Sequence, residues 1–148
     1  MMTGQGKTLT DLYEHYNRLH FGSQLPSYQV KQSLTDNKHA GQCIRSERLI
    51  LLHEDLSGGE LIAGLLHEMC HARVGGIASH GSSFVNELRR LVEAGETCLE
   101  ADLAYYGSRL AARFAEADRH YSESQRCIDA RRRLDRRIGI PRVERRRI

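Results

Sequence analysis

The chain has no C-x-x-C pair, no long apolar run, no apolar core near its N-terminus and no internal repeat. Each absence excludes something. Without a stretch of about 18 apolar residues, nothing in the sequence spans a membrane. Without C-x-x-C, a zinc ribbon or a thioredoxin-like redox site is unsupported. The four cysteines, Cys43, Cys70, Cys98 and Cys127, read as small packing residues rather than disulfide partners. The first ten residues are polar, so no secretory leader is expected and the protein is placed in the cytoplasm, or with the nucleoid. Hydrophobic content is 40%, slightly low, and the 148 residues suit one modest core.

What is present begins with His67-Glu68-Met69-Cys70-His71. On a helix, residues four apart share a face, so both imidazoles can point at one ion. Glu68 falls beside that face, close to the ion without being a ligand. The pattern H-E-x-x-H thus joins a metal, a water-derived nucleophile and a base within five residues. Leu61, Ile62, Leu65, Leu66 and Met69 surround it, marking a core helix. Two histidines and a glutamate on such a helix need partners.

Catalytic zinc sites usually have three protein ligands and one open position. His80 is the preferred third ligand, because Gly75 and Gly76 let the chain turn back after the motif helix. Glu87, Glu93 and Glu96 are the alternatives. The metzincin pattern does not fit: Ile77 stands where its third histidine belongs, and Val74 where it needs glycine. His15, His20, His39, His53 and His120 lack ligand-like spacing and read as surface or turn residues.

Charge is unevenly spread. Segment 131–148 holds nine arginines against Asp135 and Glu144, a net of +7, whereas the whole chain is +3 and residues 1–130 therefore −4. Such a tail reads equally as an arm for DNA or RNA and as a solvated helix end, since no aromatic residue interleaves the arginines.

Local patterns predict a helix over 9–21, stopped by Gly22, and strands over 28–34, 40–45 and 48–52. Ser57 and Glu60 form a capping-box pattern at the start of the motif helix, which runs to about 74. A helix near 83–94 follows. A longer one, over about 97–137, carries the narrow stripe Leu99, Leu103, Tyr106, Leu110, Phe114, Ala117 and Tyr121. That stripe points to packing along the domain or to a homo-oligomer through the long helix. Gly107 is its weakest position.

Four stretches together resemble the SprT-like metalloprotease family, which includes Spartan. They are Asn17-Arg18-Leu19-His20-Phe21-Gly22-Ser23-Gln24-Leu25-Pro26 with Ala40-Gly41, then Leu65-Leu66-His67-Glu68-Met69-Cys70-His71-Ala72, then His80-Gly81-x-x-Phe84. The resemblance spans about residues 9–94. The order helix, small sheet, metal helix, helix is that of an α+β, zincin-like core over 1–95; a helical extension over 96–148 that ends in the arginine-rich tail departs from the family pattern. The chain lacks the C-terminal zinc-ribbon cysteines of many members, and its loop between Ala72 and His80 looks short.

The implied activity is that of a zinc metalloendopeptidase acting on a protein or peptide, with DNA-associated or DNA-crosslinked proteins as a substrate class. Zn2+ would be held by His67, His71 and His80. Glu68 would take the proton of the attacking water and pass it to the leaving amine. Tyr105, Tyr106 or an arginine would steady the oxyanion, and the sequence does not choose. Two rivals stand beside this reading: a nucleic-acid-associated adaptor with a structural zinc, and a non-catalytic helical interaction protein.

Overall fold

The computed structural model describes residues 8–75, 80–137 and 139. Gly76 of the expected turn, the polar N-terminus through residue 7 and most of the basic tail lie outside the described residues.

Helix α1 spans Leu9–Phe21 and starts at a reciprocal cap: Asp11 N–H donates to Thr8 Oγ1, and Thr8 N–H donates to Asp11 Oδ2, each at 3.1 Å. Gly22 ends it with φ 58°, a left-handed conformation that costs glycine little. Asn17 is buried and holds the following loop on both sides. Its Nδ2 donates to the Leu25 carbonyl at 2.9 Å, and its Oδ1 accepts from Leu25 N–H at 3.1 Å. Tyr13 adds a hydroxyl bond of 2.6 Å to the Pro26 carbonyl.

The chain then builds a three-stranded sheet: β1 Gln29–Leu34, β2 Gly41–Ile44 and β3 Leu49–His53. The order is β1-β3-β2, with β1 parallel and β2 antiparallel to the central β3. Asp36 shapes the β1–β2 connection by accepting from the Lys38 and His39 N–H groups, both at 2.9 Å. A single 3-10 turn, Arg45–Glu47, joins β2 to β3. Ile50 and Leu52 alternate inward from β3 and are fully buried. β2 is an edge strand, and its first residue, Gly41, meets the motif helix.

That helix, α2, spans Gly58–Val74. Ser57 is its N-cap but makes no side-chain capping bond, so the expected capping box does not form. Gly58 takes φ 55°, and a left-handed residue directly after the cap departs from the helical geometry a capping box needs. Leu65, Leu66, Met69 and Cys70 are fully buried, so α2 lies within the core.

Helix α3, Ser82–Glu93, buries Phe84, Val85, Leu88 and Leu91. A 3-10 turn at Thr97–Leu99 buries Leu99 and leads into α4, Glu100–Arg137. Gly107 does not interrupt α4. The chain forms two compact units that divide between Ser108 and Arg109, within α4. The first turns of α4 thus belong to the unit that holds the sheet and α2. The architecture is α+β, a small three-stranded sheet with helices and a long C-terminal helix.

Candidate metal centre

His67 and His71 project from the same face of α2, as their four-residue spacing requires. His80 reaches them from the segment before α3, with φ 57°, unusual for a residue with a side chain. His80 Nε2 lies 3.1 Å from His71 Nε2 and 3.2 Å from His67 Nε2. Among the described residues these three form the one group of His, Cys, Asp or Glu side chains suited to a metal ion.

The donor chemistry fits a cation. A neutral imidazole nitrogen carries either one proton or one lone pair. His80 Nε2 therefore cannot form linear hydrogen bonds with both neighbours at once, whereas an ion among the three would use all three lone pairs. With metal–nitrogen bonds of about 2.0–2.1 Å, tetrahedral ligands stand roughly 3.3 Å apart, close to the separations seen here. Burial, then the neighbouring His67 and His80, push the His71 pKa down to about 4, so its ring is neutral at physiological pH.

Aromatic walls hold the rings. Phe84 of α3 stacks on His71 at 4.4 Å between centroids, and Tyr106 of α4 stacks on His80 at 4.2 Å. The spacing H-G-x-x-F therefore has a packing meaning: the phenylalanine lies against the imidazoles.

Glu68 is buried, and its Oε1 is 3.9 Å from His67 Nε2. Burial is the main reason its pKa is pushed up to about 7. Asp102 also raises it, while His67 and His39 oppose the shift. A carboxylate poised near neutrality can both accept and return a proton. Beside these groups lies an open cleft of about 940 Å³, bordered by β2, α2 and the start of α4.

The alternative ligands are placed elsewhere. Glu87 pairs with Arg90 at 2.7 Å, and Glu93 is exposed. Glu96 accepts from His20 Nε2 at 2.8 Å. That contact corrects the reading of His20 as a surface residue. Its side chain is only 7% exposed and stacks on Tyr16, one turn earlier in α1. His53 is held as well, within 2.7 Å of the Asp36 carbonyl. Tyr106 borders the cleft, whereas Tyr105 is exposed and does not. Cys70 is fully buried packing.

Sequence reasoning missed Asp102. Its Oδ2 lies 3.0 Å from His67 Nδ1, on the side of the ring away from the cluster. One signal was available: Asp102 falls between Leu99, Leu103 and Tyr106 on an otherwise apolar stripe.

A model of the SprT-like family matches residues 9–103, which include all three histidines, Glu68 and Asp102. The chain belongs to the SprT-like family. Membership makes this a metallopeptidase-like domain, and its histidine cluster is one that can bind a metal. No curated protein and no solved structure matches this SprT-like chain. Among the described residues, no helix is long and apolar enough to cross a membrane.

Proposed function

We propose that this SprT-like protein is a zinc-dependent endopeptidase with a zincin-like core. The observation that carries the reading is the buried Glu68 carboxylate beside three converging imidazole nitrogens. His67, His71 and His80 would hold the ion. When bound, zinc supplies Lewis acidity that polarises a carbonyl oxygen and makes water easier to deprotonate.

The remaining steps fall to the chain itself. Glu68 takes a proton from the attacking water and returns it to the leaving amine, and its raised pKa suits both directions. Its position beside, rather than within, the imidazole cluster keeps it available for that work. In this reading the cleft along β2 and α2 receives the polypeptide, and Tyr106, whose side chain borders it, would donate its hydroxyl to a developing oxyanion.

The structural-zinc alternative is weaker. Structural zinc sites are closed by four ligands. The described cluster has three and opens on a cleft.

The natural substrates in this reading are proteins on nucleic acid, brought close by the +7 segment at 131–148. The direct test is metal analysis of the purified protein coupled to a casein-degradation assay, after chelation and after zinc is added back. About one zinc per chain, with activity lost and regained in step with it, is expected. Degradation that persists without metal would overturn the reading.

A further inference from the structure

The first turn of α4 carries an acid where the surrounding pattern is apolar. Leu99 is fully buried, Leu103 and Tyr106 pack against the core, and Asp102 shares their face. A carboxylate on such a face is costly unless it has a partner. Its partner is His67: Asp102 Oδ2 lies 3.0 Å from Nδ1.

We infer that Asp102 is a positioning residue, which fixes His67 in the tautomer and ring orientation that leave Nε2 free for a cation. The inference rests on the reading of His67, His71 and His80 as a metal site.

An ionised carboxylate only accepts, so the proton of this bond sits on His67 Nδ1. A neutral ring protonated at Nδ1 has its lone pair on Nε2, the atom 3.2 Å from His80 Nε2. The other tautomer would aim a proton into the cluster. The same bond stops the ring from turning and makes Nε2 a stronger donor. Tyr106, one turn further along α4, stacks on His80 at 4.2 Å. One face of one helix therefore sets two of the three rings. The link is long in sequence, 35 residues, and it ties the start of α4 to the state of the site.

Outer partners of this kind typically change metal affinity by about 10–100-fold when removed. The Asp102 side chain is 37% exposed, so solvent screens it and the lower part of that range is expected.

The test uses the full-length protein, stripped with a chelator. Zinc affinity is measured by competition with a chromophoric chelator, and the visible spectrum of the cobalt(II) form reports ligand geometry. Asp102→Ala should weaken zinc binding about tenfold or more and shift the cobalt spectrum. Asp102→Asn keeps an acceptor oxygen and should lose less. Glu100→Ala, an exposed acid in the same helical turn, controls for general charge at the helix start and should match the wild type.

Melting curves of the metal-free forms establish that each variant is folded. If Asp102→Ala does not fold, the near-isosteric Asp102→Asn decides through its affinity and spectrum. A wild type that takes up zinc, alongside Asp102 variants that bind it equally with an unchanged spectrum, would overturn the inference alone. So would an equal loss in Glu100→Ala. A wild type that takes up no zinc would instead overturn the metal-site reading beneath it.

Discussion

Gly41 of β2 and Glu68 of α2 meet so closely that even a methyl group at Gly41 would push its neighbours aside. A methyl group there would stand 3.0 Å from Cγ and from Oε1 of Glu68, and 3.2 Å from Cδ2 of the buried Leu52. The edge strand thus forms the seat of the proposed base. Gly41→Ala should displace the carboxylate by a few tenths of an ångström while leaving the histidines in place. Since misplacements of about 1 Å can cost 10²-fold, proteolysis should fall on the order of tenfold. Zinc content should be unchanged. Activity equal to the wild type would show that Glu68 yields without consequence.

The raised pKa of Glu68 also makes a statement about stability. In the metal-free protein its pKa moves from 4.5 to about 7, chiefly through burial. The folded state therefore favours the protonated acid. That contribution is fully present below about pH 4.5 and is lost as pH rises through about 7. Glu68→Gln cannot ionise, so the stripped variant should be more stable than stripped wild type at pH 8, by roughly 3 kcal/mol. The difference should vanish near pH 4. Urea unfolding at both values measures it, and an equal difference at the two pH values would contradict the burial argument.

How far the sequence foretold this arrangement depends on the range of each signal. Helix α1 at Leu9–Phe21 follows apolar periodicity, and α2 at Gly58–Val74 follows the apolar residues around its H-E-x-x-H motif; neighbouring residues set both. His67, His71 and Glu68 were legible because a single helix fixes their relation. His80 needed only a short return of the chain. Asp102 stood out only as an acid on an apolar stripe; its role was not legible, because its partner is far away in sequence and an acid on a helix more often faces water. The strand order β1-β3-β2 was equally hidden, since local alternation identifies a strand and not its neighbour. The Ser57 pattern misled because capping depends on backbone angles, and Gly58 adopts a left-handed one. His20 looked idle until Glu96 met it from 76 residues away.

The arginine-rich segment predicts salt-dependent binding to nucleic acid. Full-length protein should bind duplex DNA with little sequence preference. Its log affinity should fall with log salt by about 0.9 per neutralised phosphate. Removal of residues 131–148 should abolish that binding and leave degradation of free casein intact, since the histidines and Glu68 lie outside the segment. Gel-shift titrations at two salt concentrations check this. Equal binding by both forms would reject the tail as the nucleic-acid arm.

Helix α4 predicts self-association. Phe114, Tyr121 and Ile128 are exposed and recur every seven residues. This is the spacing of one of the two apolar heptad positions of a coiled-coil seam. The protein should therefore be a dimer or higher oligomer by light scattering, and Phe114→Asp with Tyr121→Asp should shift it to monomer. A wild type that remains monomeric at high micromolar concentration would contradict this.

The most direct test of the account is Glu68→Gln with zinc content and proteolysis measured on the same preparation. The substitution keeps size and shape and removes only the base. The account predicts full zinc occupancy, a folded protein and a loss of casein degradation of about 10²–10⁴-fold. Wild-type degradation by the zinc-loaded variant would contradict it.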